Sequence, residues 1–280
     1  MEHDSFGNMA GTSPWENFSM RELSMESKNW TCNFFLKHIE RTGRTEKIAH
    51  FIDEKLAITP KQYTSADEFL EDNPGYVQDT WQHLTPPQRD AIKQYTGIGP
   101  NGGFSAVNCV ARGFWDFEKL GLKTEERESR ITEQINLIAG AIPLVPPAKQ
   151  DYAVFRGDNL DGFKSFGVFN LQDLQKMKGQ FYLDEGFHST ALLQEKSFAT
   201  EKTSTLWIGK SNIEIEIQIP KNSRDSIALL TEDLSYSPEE TEVLLNRATL
   251  CYISEVEVLG QEAKMKMLVI PRDLYDSPDQ

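Results

Sequence analysis

The apolar positions of this chain change their period once. Between Trp30 and about Leu70 they recur at threes and fours: Phe34, Phe35 and Ile39, then Ile48, Phe51, Ile52 and Leu56. That spacing lines one face of a helix, so the stretch reads as helical and closes at Asp67–Leu70, ahead of the turn Asn73-Pro74-Gly75. Thr85-Pro86-Pro87-Gln88 opens another helix, with Thr85 as N-cap and proline in the first turn, ending at Gly97. Helices over Phe104–Leu120 and Glu125–Ala141 follow. The second carries a core-facing stripe of Ile131, Ile135, Leu137 and Ile138.

Beyond the proline-rich Pro143–Pro147 the period falls to two. Tyr152–Gly157 reads as a buried strand, and Leu171–Met177 as a short helix stopped by Gly179. Phe181-Tyr182, Thr205–Ile208, Ile213–Ile219, Ile227–Leu230, Glu242–Leu245, Leu250–Val258 and Met265–Ile270 read as strands. Ile213–Ile219 alternates strictly, which predicts one buried and one wet face. Helices come first and strands afterwards, the order of an α+β fold and not of alternating βαβ units. Residues 1–20, rich in Gly, Ser and Asn, are expected to be a disordered leader. Residues 21–78 then form a helical N-terminal extension, and residues 79–280 the main domain.

Charge narrows the function classes. With 43 acidic against 29 basic residues the formal charge is −14, so nucleic acid and anionic membrane surfaces are not expected partners. Cys32, Cys109 and Cys251 are isolated, which suits a reduced compartment. No apolar run approaches membrane-spanning length, so no membrane insertion is expected. The N-terminus has neither the basic nor the apolar region of a Sec-type signal, and a short polar leader of this kind suits a non-Sec bacterial export route. The histidines His3, His38, His50, His83 and His188 are scattered, so no metal site is expected. The glycines of Gly97–Gly103 match a dinucleotide fingerprint in form only, since they follow a helix and not a strand.

Glu240 and Glu242 lie directly ahead of Val243-Leu244-Leu245. If the strand begins at Glu240, the period of two puts both carboxylates on one face. Pro238 places them where a loop enters that strand. Paired carboxylates suit a reaction through a sugar cation, one stabilising the charge and the other handling a proton. An ordinary solvated acidic face is the alternative.

Two upstream segments give the pair its context: Phe155-Arg156-Gly157 and Phe187-His188-Ser189-Thr190-Ala191. Taken in order with Glu240-Thr241-Glu242, they resemble the Arg…Ser-Thr-Ser…Glu-x-Glu signature of toxin-like mono-ADP-ribosyltransferases, a group of bacterial exotoxins, injected effectors and phage enzymes. Leu84–Gly97, followed by Phe104, Asn108 and Arg112, is similar to that family's early helix pair. The likeness covers roughly residues 80–272 and departs at Ala191, where Ser or Thr is usual.

The resemblance implies a split β-sandwich core with flanking helices, and NAD as ADP-ribose donor in the cleft between the sheets. Arg156, with Gly157, would hold an NAD phosphate. Ser189, with Thr190 beside it, would fix Glu242, which would bond the nicotinamide ribose and stabilise the oxocarbenium-like transition state. Phe198 would lie against nicotinamide, and Asn108 and Arg112 near the adenosine end. Glu240 would face the acceptor and Tyr236 would touch the target protein. Plainer roles stand beside these: a strand-end arginine paired with Asp158 or Asp161, a turn serine, loop packing for Tyr236, a cap for Asn108, a salt bridge for Arg112. The family's Glu-x-Glu members mostly modify arginine, which implies a protein arginine as acceptor and an effector reaching the host cytoplasm. An NAD glycohydrolase and a non-catalytic NAD-binding module are the alternatives, and a phage enzyme is the alternative setting.

Overall fold

The computed structural model describes residues 30–97, 103–112, 125–197 and 211–275. The leader, Phe198 and the expected strand Thr205–Ile208 lie outside them. The N-terminal helical stretch divides into α1 (Trp30–Arg41), α2 (Thr45–Leu56) and α3 (Ala66–Asp72). Gly43, at φ 67°, makes the first break. Ser65 caps α3 by accepting the Glu68 N–H at 3.1 Å. A helix not foreseen, α4 (Tyr76–His83), follows the Gly75 turn. Next come α5 (Pro86–Thr96), α6 (Gly103–Ala111) and α7 (Glu125–Ala141).

The strands are β1 (Tyr152–Asp158), β2 (Phe181–Leu183), β3 (His188–Ala191), β4 (Ile213–Ile219), β5 (Ser226–Ala228), β6 (Glu242–Leu245), β7 (Leu250–Leu259) and β8 (Glu262–Val269). They form one mixed sheet in the order β2-β7-β8-β4-β1-β3-β6-β5. Its weakest seam is β1–β3, which share the single register pair Phe155–Ala191. On one side lie five strands, with long ladders between β7, β8, β4 and β1, and on the other the short ladder β3-β6-β5. The expected split of the β core is therefore a pinch between two parts of a continuous sheet.

Two apolar cores pack against the sheet, and the short ladder feeds both: Val243, Leu245 and Ala228 join the first, Leu244 and Ile227 the second. The isoleucines Ile213, Ile215, Ile217 and Ile219 of β4 are buried with Ile48, Ile52 and Phe69 of the N-terminal helices. Leu244 of β6, Ile227, Leu229 and Phe187 are buried against α5, α6 and α7 through Ile92, Val107, Ile131 and Ile138. Burying each such side chain contributes about 1.5–3 kcal/mol. The short ladder beside the seam is thus filled on both of its faces. No helix among the described residues is long and apolar enough to cross a membrane.

Candidate active site

Arg156 sits at the end of β1, at the seam. Its Nη1–H donates to the Ser189 carbonyl at 3.0 Å, and its Nε–H to Asp158 Oδ2 at 3.1 Å. Burial works against the guanidinium charge, but Asp158, with Tyr182 and Asp184 nearby, outweighs it, and the pKa ends above the ordinary arginine value. The side chain keeps 23% of its surface, which is the part an external anion can reach.

Ser189 and Glu242 meet across the β3–β6 ladder. The register pairs Ser189 with Leu244 and Ala191 with Glu242, so Ser189 and Glu242 are diagonal neighbours on one face. The Ser189 side chain lies close enough to the Glu242 carboxylate to favour its charged form. Glu242 is buried, and burial, reinforced by the charge of Glu240, raises its pKa to about 7 against the pull of Ser189 and Arg156. Arg156, Ser189 and Glu242, distant in sequence, therefore share one site.

Glu240 arrives there by a route the period-two reading missed. It does not lie in the strand. Pro238–Glu240 is a 3-10 turn, Thr241 follows in the left-handed region at φ 50°, and β6 begins at Glu242. A β-branched residue at positive φ is strained. The strain is held by the Thr241 carbonyl, which accepts the Leu192 N–H at 2.9 Å, and by Glu242, whose carbonyl accepts the Leu229 N–H at 2.8 Å. One carboxylate is thereby buried in the strand and the other exposed on the turn.

Several other expected residues take up protein contacts. The Thr190 hydroxyl donates to the Val243 carbonyl at 2.6 Å, a cross-strand clamp facing away from Ser189. Asn108 is buried and spends both ends of its amide. Its Nδ2–H donates to Tyr95 Oη at 3.0 Å, and its Oδ1 accepts the Phe187 N–H at 2.8 Å. The polar atoms expected to serve NAD from Thr190 and Asn108 are thus engaged within the protein. Gly157 pairs with Glu214 beside Arg156. Tyr236 is 62% exposed and lies over Gly97, where a Cβ would come within 2.7 Å of the ring. Its N–H donates to Thr96 Oγ1 at 3.0 Å, and Lys93 Nζ stands 5.2 Å from the ring centre. Phe198 lies outside the described residues.

Sequence reasoning missed Asp184. Its carboxylate takes a two-pronged ion pair from Arg112, with Nε–H and Nη2–H donating at 2.7 and 2.6 Å. It also stands 3.3 Å from His188 Nε2 and accepts the Gly186 N–H at 2.9 Å. The pair braces the turn that delivers His188 and Ser189 into β3. Its signal in the sequence, an Asp three residues ahead of an aromatic, is too common to single out.

A forked guanidinium open to an anion, a buried carboxylate beside a serine, and a second, exposed carboxylate make a site able to take an anionic group at one end and a hydroxyl at the other. Among the described residues no group of three or more His, Cys, Asp or Glu is arranged to hold a metal.

A family model described as ADP-ribosyltransferase exoenzyme matches residues 73–275. No curated protein matches the sequence. Among solved structures, C3stau2 from S. aureus with NAD is 19% identical, covers 76% of this chain and 100% of its own, and superposes with a TM-score of 0.56. An ADP-ribosyltransferase from Clostridium botulinum is 20% identical over 76% of this chain and 99% of its own, at 0.53. The ADP-ribosyltransferase Vis from Vibrio Splendidus, in complex with agmatine, is 16% identical over 77% of this chain and 91% of its own, at 0.50.

Proposed function

The chain belongs to the ADP-ribosyltransferase exoenzymes and is an NAD-dependent transferase of the toxin-like kind, and we propose that its acceptor is an arginine side chain of a protein. On the same footing we propose an effector that leaves a bacterium by a non-Sec route and acts in the cytoplasm of a host cell. The observation that supports the residue roles best is the buried Glu242 carboxylate, set next to Ser189 and Arg156.

NAD supplies an activated C1′–N glycosidic bond whose electron pair leaves with nicotinamide. Arg156 holds and orients the phosphates as a permanent cation. Glu242, once ionised, bonds the ribose hydroxyl and balances the positive charge that develops on the sugar. Ser189 keeps that carboxylate in its rotamer. Glu240 orients the acceptor guanidinium and takes the proton it sheds as its nitrogen bonds to C1′. Agmatine is a guanidine, and its complex with Vis lends the arginine reading a neighbour.

The test uses labelled NAD with agmatine and with an arginine-containing protein. Glu240→Ala is expected to lower transfer by about 10²-fold while NAD hydrolysis stays within a few-fold, because only transfer needs general-base help at the acceptor. Equal loss of both activities removes this division of roles. Free ADP-ribose as sole product, with either acceptor, favours hydrolysis on the same fold.

Ala191 faces Glu242 directly in the ladder, at the place where the family signature carries a hydroxyl. Ala191→Ser therefore offers Glu242 a second donor, and a charge-assisted bond is expected to lower its pKa by about one unit. The acid limb of the NAD-cleavage pH profile should move down by that amount. A limb that stays in place shows that the added hydroxyl does not reach the carboxylate.

A further inference from the structure

We propose that the groove between α4 and the loop Thr231–Leu234 receives an apolar side chain of the acceptor protein, carried on a basic segment next to the arginine to be modified. The inference rests on the protein-arginine reading above and adds the recognition surface.

The groove encloses about 480 Å³ and is walled by Leu70, Tyr76, Val77, Trp81 and Leu234, with Asp233 at its lip. That volume takes one or two large side chains. Trp81, although large and apolar, is 40% exposed. Its ring is held from one side by Arg89, whose guanidinium lies 3.7 Å from the ring centre and donates to the Trp81 carbonyl at 3.4 Å. A ring already fixed loses little freedom when a partner covers it, which is the economy of a prepared anchor site.

Continuity with the reaction centre points to the occupant. The loop that walls the groove is the loop that carries the acceptor side of the site. The Thr231 carbonyl accepts the N–H groups of Leu234 and Ser235 at 3.1 and 2.9 Å, closing a turn that hands the chain to Tyr236 and then to Glu240. Lys93 ties these parts together, donating to the Glu232 carbonyl at 2.6 Å while standing over the Tyr236 ring. Leu234 and Glu240 are six residues apart, so they lie at most about 20 Å from each other. A single extended segment of a partner spans that distance.

Charge selects the kind of segment. Asp79, Glu232, Asp233 and Glu239 are exposed along this face, with Glu240 beyond them. Of the described cations on this face, Arg89 is turned to Trp81 and Lys93 to the Glu232 carbonyl. An acidic lip around an apolar floor attracts a lysine- or arginine-rich segment and repels nucleic acid and anionic lipid.

The test uses the full chain and labelled ten-residue peptides, each lysine-rich and holding one arginine, with Phe or Ala placed two to six residues to either side. Peptide binding is read by fluorescence anisotropy, and transfer to peptide and to agmatine with NAD is read in parallel. A Phe peptide of one spacing is expected to bind about tenfold more tightly than its Ala counterpart. Trp81→Ala and Val77→Glu should erase that difference and leave transfer to agmatine unchanged, which also shows that both variants fold. A Glu-flanked Phe peptide should bind more weakly than the Lys-flanked one. The proposal is overturned if Phe confers no advantage at any spacing, if the advantage survives both variants, or if Glu-flanked peptides bind equally well. A groove already covered by a second copy of the chain gives the first of these results. Phe-dependent binding without any ADP-ribose on arginine keeps the groove and removes the arginine reading. Transfer to the peptides without Phe-dependence does the reverse.

Discussion

Glu242→Gln is expected to lower NAD cleavage by about 10³-fold and, at the same time, to stabilise the free protein above neutral pH. The two effects share one cause. Glu242 is buried, and its pKa is raised from 4.5 to about 7, first by burial and then by the charge of Glu240, against the opposing pull of Ser189 and Arg156. In the unfolded chain the same group titrates near its ordinary value. Between the two values the folded state holds a proton that the unfolded state has lost, so stability falls as pH rises from about 4.5 to about 7. The full difference, about 3 kcal/mol, applies above pH 7, where the fold must house a buried carboxylate. Glutamine keeps the shape and the contact with Ser189 but carries no charge to bury. Denaturation of wild type and variant should agree near pH 4.5 and diverge up to pH 8, with the variant the more stable. Catalysis needs the charge that stability disfavours. The anion must balance the developing sugar cation, so wild-type kcat/KM for NAD cleavage should rise with pH up to about 7. A variant no more stable than wild type at pH 8 would contradict the buried carboxylate, and retained NAD cleavage would remove Glu242 from the chemistry.

What the chain disclosed in advance, and what it withheld, divides along physical lines. The alternating isoleucines of β4 and the stripe of α7 were legible because burial on one face imposes a period. The candidate site residues could be singled out only through the order of three short segments and their likeness to a family signature; composition and spacing alone left the acidic pair weak. The arrangement of that pair was misread. Two acids spaced by one residue read as a strand face, whereas a proline turn followed by a left-handed threonine puts them in different elements. Local propensity gives no warning, since β-branched residues avoid positive φ and the surrounding ladder imposes it here. The place of Ala191 opposite Glu242 becomes visible only once register is fixed. Asn108 resembled a ligand contact in sequence, but its partners Tyr95 and Phe187 are 13 and 79 residues away, and no local pattern brings them together.

Asp184 is the strongest case of that kind, and its removal is the second large effect expected. Its main partner, Arg112, lies 72 residues away and meets it through a fork of two short hydrogen bonds. Burial works to raise the Asp184 pKa, but the hydrogen bonds and charge of Arg112, with His188 close by, win, and the carboxyl is held well below the usual carboxylate range. A depressed folded-state pKa contributes stability that is present above the ordinary aspartate value and is lost as pH falls through the depressed one. Asp184→Asn should therefore cost about 2–3 kcal/mol at pH 7, below the value for a fully buried pair because Arg112 keeps part of its surface in solvent. The gap from wild type should narrow below about pH 4, where the aspartate of the unfolded chain begins to protonate while the folded one does not. Asparagine also leaves the Arg112 fork half-matched and loosens the turn at Gly186, whose N–H Asp184 now holds. That turn sets where Ser189 stands against Glu242, and a displacement of about 1 Å at a reacting centre costs up to about 10²-fold in rate. Measured well below the melting temperature, Asp184→Asn is expected to lose about ten- to a hundredfold in kcat for NAD cleavage. Arg112→Lys, which keeps the charge and loses the fork, should lose less stability than Asp184→Asn. Melting curves from pH 3 to pH 8 alongside single-temperature kinetics read both effects, and an Asp184→Asn protein as stable and as active as wild type would show that the brace carries neither.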